Sequence, residues 1–143
     1  MDIRHMNIKD YDEVYQLWLN SQGIGMRSLD DSKDGINNFL KRNPNTNFVA
    51  LIDNKIVGVI LCGHDGRRGY IYHTAVNELY RKHGIATLLV NKATDVLQKE
   101  GINKVALVVY KDNTIGNEFW KTQGFEKRDD LVYKNKSLNP DNI

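Results

Sequence analysis

The chain is short of several things, and each shortage removes a class of protein. It has one cysteine, Cys62, among 143 residues. That excludes an internal disulfide framework and any zinc cluster built on several thiolates. Its four histidines, at 5, 64, 73 and 83, lack metal-ligand spacing, so no metal site is expected. No apolar run approaches the ~20 residues that span a bilayer, so no membrane partner is expected. The start, with Asp2 and Arg4, carries no apolar targeting segment, which points to a cytoplasmic location. The formal net charge is only +2, too small a surplus to argue for nucleic acid. Arg67-Arg68 and Arg81-Lys82 are local pairs within that balance. Only two prolines occur, Pro44 and Pro140, so the middle of the chain is free of proline breaks.

What remains is the composition of a globular protein, 41% hydrophobic and 27% charged, with room for one core. Residues 1–135 are expected to form a single domain, and 136–143 a polar, frayed tail. Ile3 and His5 suit a short strand. Tyr11, Val14, Tyr15, Trp18 and Leu19 recur at helical spacing, after a cap at Asn7 or Asp10. Segment 20–33 is irregular. Asp31 or Ser32 can start a second helix carrying Ile36, Phe39 and Leu40, which Asn43-Pro44-Asn45 ends. Residues 47–52 and 55–62 read as strands joined by the Asp53-Asn54 turn. Gly58 within the second permits close backbone approach.

Gly69 to Val76 reads as a fourth strand, aromatic and β-branched. Alternation puts Tyr72 and Thr74 on one face and His73 on the other. A long helix follows with Ile85, Leu88, Leu89, Ala93, Val96 and Leu97 inward, ended by Gly101. Lys104 to Tyr110 is a fifth, apolar strand. Asp112 or Asn113 caps a helix holding Ile115, Phe119 and Trp120. Gly124 ends it, Phe125 opens another strand, and Leu131-Val132-Tyr133 closes the sheet. The order predicts an α/β (α+β) fold: a mixed sheet flanked by helices.

Chemistry concentrates at Arg81-Lys82-His83-Gly84-Ile85-Ala86, a turn that opens the long helix. Small residues let a ligand approach the backbone, and a helix start offers unpaired N–H groups to anionic oxygen. Arg81 and Lys82 add positive charge. An ordinary basic turn before a surface helix has the same composition. The run is neither a Walker loop nor the three-glycine dinucleotide fingerprint. Asn113 to Phe125, taken alone, reads as a capped helix packed by aromatics. Cys62 reads as a small buried thiol.

Together these features resemble the GCN5-related N-acetyltransferase (GNAT) family, and within it the small bacterial YpeA-like acetyltransferases. The resemblance runs from Ile3 to about Tyr133. Its most specific part is Arg81-x-x-Gly84-x-Ala86 after Ala75-Val76. Asn113, Phe119 and Gly124-Phe125 match a second block. The resemblance implies a mixed, mostly antiparallel sheet of six to seven strands with about four helices, splayed between its fourth and fifth strands, here around 70–76 and 104–110. It implies acetyl-coenzyme A as the acetyl donor and an amine as the acceptor. The amides of residues 81–86 would seat the pyrophosphate. The backbone at Ala75, Val76 or both would pair with the pantetheine amides, and an amide from the Val76 region would polarise the thioester carbonyl. Asn113 and Trp120 would lie near the pantetheine end. Glu78 and His73 are candidates for removing the amine's proton.

One departure stands out. The family commonly has tyrosine where this chain has Trp120, and an indole cannot act as a general acid near neutral pH. Tyr110 is a possible substitute. The acceptor pocket is expected between segment 20–33, with Met26 and Arg27, and the turn near 127–131. The mixed charge there does not choose among small amines, aminoglycosides, peptide N-termini and protein lysines. Monomer and homodimer both fit. A module that binds the coenzyme without catalysis is the competing reading.

Overall fold

A computed structural model describes all residues, 1–143. It contains seven short strands: β1 (Asp2–His5), β2 (Phe48–Ile52), β3 (Lys55–Ile60), β4 (Cys62–His64), β5 (Gly69–Ile71), β6 (Ala75–Val76) and β7 (Val105–Ala106). The four α-helices are α1 (Tyr11–Leu19), α2 (Lys33–Arg42), α3 (Ile85–Lys99) and α4 (Thr114–Thr122). The mixed, mostly antiparallel sheet with four helices matches the architecture expected from the sequence. No helix is long and apolar enough to cross a membrane.

The strands form two sheets, ordered β1-β2-β3-β6 and β4-β5-β7. The Asp53-Asn54 turn joins β2 to β3 with both residues at positive φ, 51° and 62°, as a two-residue hairpin with right-handed twist requires. The run 55–62 breaks at Leu61, and buried polar side chains satisfy the break. Asn47 Oδ1 accepts from the Cys62 N–H at 2.8 Å, and Thr46 Oγ1 donates to the Cys62 carbonyl. Such pairing is needed because an unpartnered buried amide costs about 1–3 kcal/mol.

Two apolar clusters fill the two sides of the first sheet. Val57, Ile60, Ile85, Leu89, Ala93 and Leu97 pack under α3. Val14, Trp18, Ile36, Leu40, Val59 and Ala75 pack under α1 and α2. Gly58 sets the α3 spacing: a Cβ there would stand 3.0 Å from Ile85 Cγ2 and 3.1 Å from Leu89 Cδ1.

Three expectations change. Residues 72–74 lie outside the strands, so simple alternation fails there. Tyr72 meets Phe39 of α2 and His73 meets Trp18 of α1, so neighbours both turn toward the α1–α2 layer. Residues 125–133 pair with no strand, and Leu131, Val132 and Tyr133 are exposed. The expected closing strand is therefore absent. The tail is not frayed: Asn142 Oδ1 accepts from the Leu29 and Asp30 N–H groups at 3.0 Å each, and the Ser28 N–H donates to the Ile143 carbonyl at 2.7 Å.

Candidate active site

The two sheets part at the strands that the sequence singled out. β5 and β7 run parallel with Gly69 opposite Val105 and Tyr70 opposite Ala106. After Ile71 the chain leaves this sheet and joins the other as β6, which pairs only with β3. Beyond Ala106, residues 107–110 continue without a strand partner. The sheet is open between Ala75–Val76 and 107–110.

One lip of the opening is made of backbone. The Asn77 N–H donates to the Val57 carbonyl at 2.7 Å. Antiparallel alternation then turns the N–H and C=O of Val76, opposite Gly58, away from β3 and along the free edge. Residues Glu78–Tyr80 form one 3₁₀ turn, capped by Asn77 Oδ1 accepting from the Leu79 N–H at 3.0 Å. Lys82 and Gly84 then sit at positive φ, 66° and 74°, and Gly84 is the N-cap of α3.

No side chain caps α3, and its first turn holds no acidic residue. The first amides of a 15-residue helix are thus left for an outside acceptor, with the positive end of the helix dipole behind them. A Cβ built on Gly84 would meet nothing within 4 Å, so space is open at that point. Arg81, Lys82, His83 and Gly84 are exposed, Ile85 is buried and Ala86 half-buried.

Other expected site residues fall as follows. Glu78 is exposed in the 3₁₀ turn. Asn113 caps α4, its Oδ1 accepting from the Gly116 N–H at 3.0 Å. Its amide nitrogen lies close to Gly23, where a Cβ would come within 2.7 Å of Nδ2. Tyr110 is exposed, and its hydroxyl would stand 2.7 Å from a Cβ on Gly25. Loop 20–27 therefore crosses the ends of residues 110 and 113, and two glycines permit it. Trp120 is wedged between Phe119 and Phe125, with ring centroids 4.9 and 5.2 Å away.

The α1–α2 face of the segment that leads into Val76 carries side chains instead. His73 Nε2 lies 2.7 Å from Asp31 Oδ1, with the two side chains 17% and 7% exposed. Asp31 Oδ2 accepts from the Arg27 N–H at 2.6 Å, and the Tyr11 hydroxyl donates to the Asp31 carbonyl at 2.6 Å. Burial pushes the Tyr11 phenol up from its ordinary range, and the charges of Tyr15, Asp31 and Asp12 add to this, so it stays a donor. The Trp18 indole meets the imidazole edge-on at 5.1 Å. Sequence reading treated Asp31 only as a helix start and Trp18 only as core. Partners 42 positions apart leave no local signature of their pairing.

A sheet parted between two strands, with a bare helix start at one mouth, is an arrangement for holding an extended anionic ligand. Comparison with known proteins makes the class specific. The family model for the GNAT acetyltransferases matches residues 11–125. An acetyltransferase of Sodalis glossinidius (strain morsitans) is 30% identical over 138 residues, 96% of either chain. The chain belongs to the GNAT acetyltransferase family. The fold is shared with Ard1 of Thermoplasma volcanium, with TM-score 0.78 and 23% identity over 87% of this chain and 82% of that one. It is shared equally with the PaiA N-acetyltransferase of Thermoplasma acidophilum, solved in complex with coenzyme A, with TM-score 0.78 and 21% identity over 90% and 91% of the two chains.

Proposed function

We propose that this protein is an acetyl-coenzyme-A-dependent N-acetyltransferase that moves acetyl directly to a primary amine of a small molecule, peptide or protein. The observation that carries this reading is the uncapped start of α3 beside the free Val76 edge. Residues 1–135 act as the catalytic domain, with 136–143 as its tail. Within the family, motif resemblance sets it beside the small bacterial YpeA-like enzymes.

The coenzyme supplies an activated acetyl thioester. The amides of Arg81, Lys82, His83, Gly84, Ile85 and Ala86 hold its pyrophosphate, by the rule that oxyanions favour helix N-termini. Val76 pairs with the pantetheine amides along the free edge as an added strand would, whereas Ala75, expected to share that role, stands opposite Val59 and turns its N–H and C=O toward β3. The Val76 N–H faces the thioester carbonyl, where a fixed donor stabilises developing negative charge. Asn113 and Trp120 flank the pantetheine end. A primary amine is protonated near neutrality, with a reference pKa of about 10.4 for lysine and about 7.7–8.0 for an α-amine. His73 or Glu78 removes that proton, and Tyr110 steadies the departing thiol in place of the missing phenol.

Isothermal titration with acetyl-coenzyme A tests the donor assignment. The folded protein is expected to bind, and absence of binding overturns the reading. The packing of Trp120 between two phenylalanines favours a second reading, a non-catalytic acyl-coenzyme-A sensor. Sustained thiol release with an amine panel rejects that alternative.

A further inference from the structure

We propose that Asp31 is a positioning residue for His73, fixing the imidazole tautomer that takes the proton from the acceptor amine. This rests on the acetyltransferase reading and adds the acceptor half of the site to it. Three observations point the same way. First, the segment 72–74 departs from strand geometry just before the Val76 edge and turns His73 onto the α1–α2 layer, across the sheet from α3. Three residues span at most about 11 Å, and the proposal places the acceptor amine within that span of the ring.

Second, both Asp31 oxygens are committed. Oδ2 accepts from the Arg27 N–H and Oδ1 faces His73 Nε2. A carboxylate only accepts, so Nε2 carries the hydrogen of this bond, and in the neutral imidazole that leaves the lone pair on Nδ1. Nδ1 has no hydrogen-bond partner in the protein. Third, the pair is enclosed rather than solvated. Trp18 is 1% exposed and walls the imidazole, and no protein acceptor faces its indole N–H. Asp31 faces the ring directly, the Tyr11 hydroxyl and the Arg27 N–H reach Asp31, Tyr15 and Asp12 of α1 act on Tyr11, and Tyr72 precedes the ring on its own segment.

The step balances without a further reagent. The amine nitrogen bonds to the acetyl carbon, the carbon–sulfur bond breaks, and one amine proton passes to His73 Nδ1. The imidazolium then releases it to the thiolate or to solvent, regenerating the base.

The Asp31→Asn variant gives the decisive test, because an amide cannot accept from both partners. With its oxygen on the Arg27 N–H, its NH₂ donates to Nε2 and forces the proton onto Nδ1, blocking the base. Long-range ¹H–¹⁵N spectra are expected to show the Nε2–H tautomer in the native protein and its loss in the variant. Transfer would be followed with a free-amine peptide, Nα-acetyl-lysine amide and spermidine. At pH 7, kcat is expected to fall on the order of 100-fold or more in both Asp31→Asn and His73→Ala, with acetyl-coenzyme A affinity unchanged. The loss should shrink as pH approaches the amine's own pKa, and shrink most for the peptide α-amine. The double variant should be no slower than His73→Ala, as expected of residues acting as a unit.

A native Nδ1–H tautomer overturns the proposal. So does an unchanged kcat in Asp31→Asn, additive losses in the double variant, or coenzyme binding without turnover of any of the three amines. Failure of the native protein to bind acetyl-coenzyme A instead overturns the donor assignment.

Discussion

The two faces of the parted sheet are built from different materials. On the α3 face the site is backbone: a free strand edge at Val76, a left-handed Gly84 and a helix start without a side-chain cap. On the α1–α2 face it is side chains, His73, Asp31, Trp18 and Tyr11, gathered from a strand break, a loop and a helix. A backbone seat makes few demands on side-chain identity. It needs a helix, a glycine and an edge. A side-chain cluster depends on each member, and losing one leaves the others unpaired.

The largest expected effect tests that dependence. Trp18→Ala removes a fully buried indole from the α1–α2 core. Denaturant unfolding should show a loss of about 3–5 kcal/mol. The folded fraction should still bind acetyl-coenzyme A, and parallel loss of binding would erase the distinction between the faces.

Gly84→Glu attacks the other face. Bulk and negative charge at the seat should weaken acetyl-coenzyme A about 100-fold, or about 2.7 kcal/mol. The positive φ of 74° adds roughly 1 kcal/mol of strain to folding. Equal affinity by titration calorimetry would remove the pyrophosphate from this turn.

Acid should loosen the faces in order. Asp10 sits under the start of α1, bidentate to Arg4 at 2.8 and 2.9 Å and accepting from the Asn7 N–H at 2.9 Å. Burial pushes its carboxyl up, but the Arg4 and Asn7 bonds outweigh this and hold it below the usual range. A depressed carboxylate stabilises the fold above its unfolded pKa of about 3.9, and that stability is lost as pH falls through the folded value. Hydrogen exchange below pH 4 should open α1 before α3, and Arg4→Met should weaken the effect.

Trp120→Tyr should have the smallest effect. A phenol does not fill the space of the indole between Phe119 and Phe125, so stability should drop by about 1 kcal/mol. Acetyl transfer at saturating coenzyme should slow several-fold. A tenfold gain would show that this position reaches the leaving sulfur and that the phenol restores an acid.

The same contrast explains what was legible in the sequence. Helical spacing from Ile85 to Leu97 and the glycine before it are local patterns, so the start of α3 stood out. Each of two helix starts was narrowed to a pair, Asp31 or Ser32 and Asp112 or Asn113, and the structure caps them with Ser32 and Asn113. The pairing of Asp31 with His73 depends on the strand break at 72–74, which periodicity cannot register. The closing strand was read from Leu131-Val132-Tyr133, a β-like composition that the fold leaves unpaired and exposed. The tail looked frayed because polarity alone does not reveal that Asn142 would find the amides of Leu29 and Asp30.

The lone thiol of Cys62 has a practical use. It is fully buried, and burial, with a smaller contribution from Glu100, pushes its pKa up to about 12. Thiolate is the reactive form, so a disulfide reagent counting released coenzyme will not see the folded enzyme. In the absence of substrate the same reagent becomes a clock: each labelled Cys62 records one opening of the core between the two helical layers. One dye can thus time both turnover and unfolding, and the Trp18 and Gly84 variants can be ranked on both scales in a single cuvette.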